Sequence, residues 1–359
     1  MENESELLLR LINNRYKSPD KILLYERYIE SLVSRGVPPI LSFRHLADIL
    51  GIAPASLHCM AFKTNLYYKR FTIPKRSGGI RQIISPHLLL DTVQRWIGHN
   101  ILQCAFSDFP EYVVGYAPNK SIKDHVTPHI KSDCLIKFDL KDFFPSITAE
   151  SVCAIFIELG YVRSVARTLA ALLTVDQRLP QGASTSPIVS NIYMRSFDTT
   201  LADYCEGKEF IYTRYADDIV ISGASILPSC TSEIKRIFLQ HGLALNHSKT
   251  RVYKAPSQVR FVTGLILKEG EVRLPKAMRR RIRVQCHIFL NEIDRLISHS
   301  LPVQRKMPQE SWHDREIVFD PVFPERILGK LNYWLFVEPG NSYACSMKRA
   351  IQEKLELIQ

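Results

Sequence analysis

Two aspartates stand side by side between two apolar runs in Tyr212-Thr-Arg-Tyr-Ala-Asp-Asp-Ile-Val-Ile221, and no other segment constrains the fold as much. Residues 209–215 and 218–222 read as strands flanking Ala216-Asp217. Successive side chains of a flat strand point to opposite faces, so neighbouring carboxylates reach one site only where a tight turn falls on or beside them. The segment therefore predicts a β-hairpin with an acidic turn at a sheet end. Asp is common in turns, so the pair alone leaves a purely structural hairpin equally open.

A second carboxylate shifts that balance. In Phe138-Asp139-Leu-Lys-Asp-Phe-Phe-Pro-Ser-Ile147 an apolar strand, 133–139, ends on Asp139. If it lies beside the hairpin, Asp139, Asp217 and Asp218 converge as candidate catalytic and metal-binding residues. Hard oxygen ligands of this kind suit Mg²⁺, which takes its remaining ligands from water and substrate phosphates. Two such ions, about 3.5–4 Å apart, activate an attacking hydroxyl and stabilise a leaving pyrophosphate. That is the chemistry of nucleotide polymerisation. Composition points the same way: 47 Lys and Arg against 36 Asp and Glu give a net charge of +11, which fits a polyanionic partner.

The rest of the chain mixes helices and strands, an α+β pattern. Helices are predicted at 5–14, 20–34, 42–50 and 54–62, and a hairpin with a basic tip joins 67–73 to 80–85 across Pro74-Lys-Arg-Ser-Gly-Gly79. Further helices are expected at 87–103, 121–130, 149–158, 163–173, 187–206 and 229–241, then short strands over 250–274 and a mainly helical remainder. Residues 43–58 superficially resemble a helix-turn-helix but read better as two packed amphipathic helices, without a basic recognition helix for DNA. Eight scattered cysteines with no C-x-x-C pair predict reduced, mostly buried thiols. An acidic N-terminus and the lack of any apolar stretch near ~20 residues predict a cytoplasmic protein with no membrane partner.

Asp139 in its strand, Leu179-Pro-Gln-Gly-Ala-Ser-Thr-Ser-Pro187 and Tyr215-Ala-Asp-Asp218 resemble three successive motifs of the reverse transcriptase palm, in that order, with similarity over about 67–275. The resemblance implies a right hand: an N-terminal helical extension (1–64), fingers and palm (65–270) and a helical, RNA-binding thumb (271–359). It implies two Mg²⁺ ions, deoxynucleotide substrates, and a nucleotide site formed by Lys75, Arg81, Phe144, Gln181, Gly182 and Lys249. Phe144 stands where the family carries an aromatic gate against a ribose 2′-hydroxyl, and the loop glycine, Gly182, would let backbone approach nucleotide or template. Ser186 is expected to cap a helix with Pro187 in its first turn.

Two segments resemble bacterial retron reverse transcriptases in particular. One is Val262-Thr263-Gly264; the other is Gly115 to His129, where His125-Val126 replaces the usual Asn-Ala while His129 stands. With the basic run Arg273, Lys276, Arg279, Arg280, Arg281 and Arg283, they predict RNA contacts at His129, Val262, Thr263, Gly264, Arg279, Arg280, Arg281 and Arg283. The retron resemblance implies a cognate structured non-coding RNA, copied into branched RNA-linked single-stranded DNA, and an effector protein encoded nearby in anti-phage defence. A group II intron-like, diversity-generating or abortive-infection reverse transcriptase, or an inactive RNA-binding scaffold, are the alternatives.

Overall fold

A computed structural model describes residues 8–10, 12, 14, 17–75, 78–255, 257–298 and 322–356. The helix expected at 5–14 lies largely outside them. The chain divides into two compact units, Met1–Ser121 with Ile136–Val252, and Ile122–Leu135 with Tyr253–Gln359.

The first unit opens with helices α1 (Pro19–Ser34), α2 (Phe43–Ile49) and α3 (Pro54–Phe62). Ser42 caps α2 by accepting from the His45 amide at 3.2 Å. α2 and α3 bend by 111° and bury Leu46, Ala47, Leu57, Met60 and Ala61 in the main core, so their helix-turn-helix look is packing. Among the described residues no single helix is long and apolar enough to cross a membrane. Strands β1 (Tyr68–Pro74) and β2 (Ile80–Pro86) pair antiparallel from Tyr68↔Pro86 to Pro74↔Ile80. α4 (Leu88–Ile97) runs on through a π-helical turn at Gly98–Leu102, where a single regular helix was expected.

β3 (Cys134–Asp139) is the central acidic-ended strand, followed by α5 (Ala149–Glu158) and α6 (Arg163–Leu173). The helix expected at 187–206 is two, α7 (Ser186–Tyr193) and α8 (Arg195–Glu206), divided at Met194. β4 (Ile211–Tyr215), β5 (Asp218–Gly223), α9 (Pro228–Gln240) and β6 (Arg251–Tyr253) complete a four-stranded sheet of order β4-β5-β3-β6. β3 and β5 carry Leu135, Ile136, Phe138, Ile219, Val220 and Ile221 buried on both faces, which is why they read as apolar runs without alternation. Phe138, Phe197 and Phe238 meet on this sheet with centroids 4.9–5.3 Å apart.

The second unit holds a short helix, Ile122–Val126, whose expected continuation to 130 is instead a 3₁₀ turn with Pro128 at its start. A meander of β7 (Arg260–Val262), β8 (Leu265–Lys268) and β9 (Glu271–Arg273) leads into α10 (Lys276–Ser298), and α11 (Phe323–Val337) and α12 (Ser342–Glu356) follow. Ile282, Cys286, Phe289 and Ile293 repeat at helical spacing along one face of α10 and are buried with Leu331 and Trp334. All eight cysteines are free, three of them (Cys153, Cys205, Cys286) buried.

Candidate active site

The acidic hairpin is as tight as the sequence required. β4 and β5 pair from Ile211↔Ser222 to Tyr215↔Asp218, leaving Ala216 and Asp217 as a two-residue turn. Ala216 takes a left-handed φ of 56° and is buried beneath the tip. The turn puts Asp217 at the apex and Asp218 at the head of β5. The Leu140 amide donates to the Asp217 carbonyl at 3.1 Å, which fixes the end of β3 against the turn. Asp139 is buried there, its carbonyl accepting from the Asn246 amide at 2.8 Å.

Three carboxylates gathered at one sheet end repel one another, and the charges show it. Burial, then Asp218 and Asp139, push Asp217 up to about 6. Two lysines answer the other two acids. Lys249 Nζ donates to Asp139 Oδ1 at 2.8 Å and Oδ2 at 3.1 Å. Burial pulls the Lys249 amine down, but Asp139, Asp217 and Asp218 outweigh it and hold it above its ordinary value. Lys137 Nζ donates to Asp218 Oδ2 at 3.0 Å, both side chains being mostly buried. Sequence reasoning missed Lys137, although it lies two residues before Asp139 on one strand and so on the same face. Among the described residues no three His, Cys, Asp or Glu side chains are already drawn into metal-holding geometry. The donor set nonetheless suits a hard cation: three carboxylates share two ammonium groups, and the half-buried Asp217 is left with an uphill ionisation.

Behind the turn lies a second group that sequence reasoning also missed. The Arg214 side chain on β4 is fully buried and donates through Nε to Asp198 Oδ1 at 2.7 Å and through Nη2 to Oδ2 at 2.6 Å. The Tyr212 hydroxyl donates to the same carboxylate at 2.6 Å. Arg214 Nη1 reaches Asn191 Oδ1 at 3.0 Å and the Ala216 carbonyl at 3.4 Å, so the pair is tied to the turn itself. Asn191 in turn donates to the Gly115 carbonyl at 2.9 Å. Gly115 packs so close that a Cβ would lie 2.4 Å from the Ala216 nitrogen. Burial lowers the Arg214 pKa, and Asp198 more than restores it. A charged residue amid an apolar strand was the available signal, since such a charge is buried only with a partner.

The other residues singled out from the sequence occupy varied places. Lys75 and Arg81 are exposed on either side of the β1–β2 turn, with Arg81 opposite Ile73. Phe143 is buried in the core while Phe144 is half-buried, its centroid 6.3 Å from that of Tyr116. The Gln181 carbonyl accepts from the Ile84 amide at 2.9 Å, and Gly182, at φ 132°, has the side a Cβ would fill 2.7 Å from Ile83 Cγ2. The close approach that Gly182 permits here is thus to β2. Ser186 does not cap α7: it sits inside the helix, and its hydroxyl donates to the Pro180 carbonyl at 2.6 Å, tying the loop back on itself.

In the second unit His129 is buried, and burial, followed by Arg260, pushes its pKa down to about 3, so its ring stays neutral. The buried Arg260 guanidinium donates to the carbonyls of Ser132 at 2.6 Å and Ile130 at 3.0 Å, joining the His129 segment to the strand bearing Val262. Thr263 and Gly264 are both left-handed and form the two-residue turn between β7 and β8. Val262 is buried, Thr263 half-buried and Gly264 exposed. On α10, Arg280, Arg281 and Arg283 are exposed and Arg279 half-buried, with the Arg283 guanidinium 4.8 Å from the Tyr343 ring centroid.

Residues 73–266 match the family "Reverse transcriptase (RNA-dependent DNA polymerase)". The chain is 30% identical over 256 residues to the Retron Ec86 reverse transcriptase of Escherichia coli, covering 70% of this chain and 79% of that one. It is 34% identical over 243 residues to the Retron Mx65 reverse transcriptase of Myxococcus xanthus, covering 62% and 56% respectively. Among solved structures, telomerase from Candida albicans aligns with a TM-score of 0.45 and 12% identity, over 81% of this chain and 62% of that one.

Proposed function

Because the chain belongs to the bacterial retron reverse transcriptases, RNA-directed DNA polymerases with a right-hand fold, we propose that it copies a structured non-coding RNA of its own retron into branched, RNA-linked single-stranded DNA. The observation that carries this reading is the convergence of Asp139, Asp217 and Asp218 on one sheet end, where Lys249 pairs with Asp139 and Lys137 with Asp218. The domain implies a divalent metal cofactor, and two Mg²⁺ ions fit these acids best. Asp139 and Asp217 would hold them, with Asp218 in support. When bound, such ions activate the attacking hydroxyl and stabilise the departing pyrophosphate.

The protein's own groups would do the rest. Lys249 carries its proton beside Asp139 and is placed to deliver positive charge, or that proton, to the leaving pyrophosphate. Lys137 orients Asp218. Lys75 and Arg81, exposed on the β1–β2 hairpin, would grip the triphosphate of the incoming deoxynucleotide, and Gln181 would meet its sugar. Phe144 keeps enough exposed ring to crowd a ribose 2′-hydroxyl, which its buried neighbour Phe143 does not. The exposed Arg280, Arg281 and Arg283 would bind RNA phosphates. We assign fingers and palm to 65–270 and the thumb to 271–359, and a nearby-encoded effector and a part in anti-phage defence belong to the same proposal.

The test is to express the protein from its native locus and extract the nucleic acid. RNase digestion, debranching and sequencing should reveal a short DNA joined 2′–5′ to RNA, absent from an Asp217→Asn, Asp218→Asn double variant. Unbranched DNA would move the protein to another reverse transcriptase group. Bound RNA without any DNA would refute the catalytic assignment of the acids.

A further inference from the structure

Tyr116 is a large side chain at this site that the proposed chemistry does not account for. Its φ is 63°, a left-handed conformation that a bulky residue adopts only where its surroundings impose it, and such strain gathers at functional sites. The surroundings do impose it. The amides of Val114 and Gly115 donate to the Arg214 carbonyl at 2.9 and 3.2 Å, and Asn191 holds the Gly115 carbonyl at 2.9 Å. The segment leading to Tyr116 is thereby laced to the acidic hairpin, with Val113, Val114 and Gly115 buried. The chain then turns outward and leaves the Tyr116 side chain 45% exposed.

Where the ring stands matters more than that it is exposed. Its centroid is 6.3 Å from Phe144 and 6.3 Å from Tyr215, the residue before the turn. Tyr215 precedes the acid turn directly, so the ring stands beside that turn as well as beside Phe144. Among the described residues no group hydrogen-bonds the Tyr116 hydroxyl. A ring packed beside both the aromatic gate and the residue that leads into the acid turn borders the place a nucleotide's sugar would occupy.

We propose that Tyr116 is a specificity-determining residue of the nucleotide site, its ring packing with that of Phe144 against the sugar of the incoming nucleotide to exclude a ribose 2′-hydroxyl. The inference rests on the assignment of Asp139, Asp217 and Asp218 as the catalytic acids. Were Tyr116 only a lid on an aromatic cluster, its loss would change thermal stability and leave substrate choice untouched.

The experiment uses the full chain, a primed RNA template, and each dNTP or rNTP in turn. Tyr116→Asn removes the ring but accepts a left-handed φ, and Tyr116→Gly is a second variant with the same tolerance. Either should keep the melting temperature, raise KM for dNTP about tenfold, as loss of an aromatic platform does, and narrow the dNTP:rNTP preference, with kcat falling less than KM rises. Tyr116→Phe should restore the preference. Unchanged KM and preference in a folded Tyr116→Asn or Tyr116→Gly protein would overturn the proposal while leaving the polymerase site intact. An active Asp217→Asn, Asp218→Asn protein would instead overturn the site, and this inference with it.

Discussion

Two antiparallel hairpins in the first unit have the same plan and opposite surroundings. β1–β2 carries seven paired positions, yet only Tyr68 among them is buried. β4–β5 carries five, and seven of its ten paired residues are buried. Each hairpin bears an arginine in its first strand with an aspartate partner. Arg70 meets Asp176 at 2.6 Å with the two side chains 40% and 50% exposed, whereas Arg214 meets Asp198 with 0% and 1%. The solvated arm can shift at little cost. The buried one has its turn fixed by packing, by Arg214 and by the end of β3. That division would suit the roles proposed for them, since acids that hold metals need fixed geometry while a group that takes a triphosphate must admit and release it.

The comparison breaks most visibly if the buried turn does not carry the chemistry. Asp217→Asn should lower DNA synthesis by at least about 10³-fold, since the charge stabilisation at stake is several kcal/mol. Single-turnover extension of a primed template measures it, and an unimpaired variant would remove the reason for the turn's burial. Next in size is Arg214→Met. It strands the Asp198 carboxylate in the core and should cost about 3–5 kcal/mol of stability, against about 0–1 kcal/mol for Arg70→Ala. Urea unfolding of the two proteins gives both numbers. Equal losses would mean that burial does not separate the hairpins.

How much of this was legible beforehand differs between the hairpins for a physical reason. The turn at Ala216-Asp217, the end of β3 at Asp139 and the basic tip of β1–β2 follow from local pattern: apolar runs, adjacent acids, and turn residues between strands. The partners of Arg214 do not. Asp198 and Asn191 belong to α8 and α7, and only the folded chain brings them behind the turn. The break at Met194 that separates those helices, and the packing of Gly182 on β2, are likewise set by contacts far apart in sequence. Lys137 lies between these cases: strand alternation puts it on the face of Asp139, but that it would bind Asp218 required the neighbouring strand.

A smaller effect sharpens the same contrast through pH. With chelator present, the Asp217 carboxyl has a folded-state pKa of about 6 against an unfolded value near 3.8. A raised acid stabilises the fold fully below its unfolded pKa and loses that contribution as pH climbs through the folded one. Metal-free protein should therefore lose on the order of 2–3 kcal/mol between pH 4 and 7 through this group alone. Asp217→Asn should abolish that loss, becoming the more stable protein at pH 7 while matching the parent near pH 4. Denaturant unfolding at the two pH values decides it. Parallel pH profiles would mean that the turn does not hold its apical acid against its preference.

The smallest effect belongs to the solvated arm, and it has to be small in one measurement and clear in another. Arg81 is exposed on β2, has no described ion-pair partner, and faces Ile73 across the hairpin. Replacing it with Ala should leave stability within about 0.5 kcal/mol, as at other surface positions. If it grips the triphosphate, the same substitution removes a charge-assisted contact worth roughly 1.5 kcal/mol, which is about a tenfold rise in KM for dNTP. That rise should shrink as salt is added, because an exposed cation is screened within a Debye length of about 8 Å at physiological ionic strength. A loss of stability comparable to that of Arg214→Met would show that β1–β2 is part of the rigid frame. An unchanged KM would show that the arm, however free to move, does not reach the nucleotide.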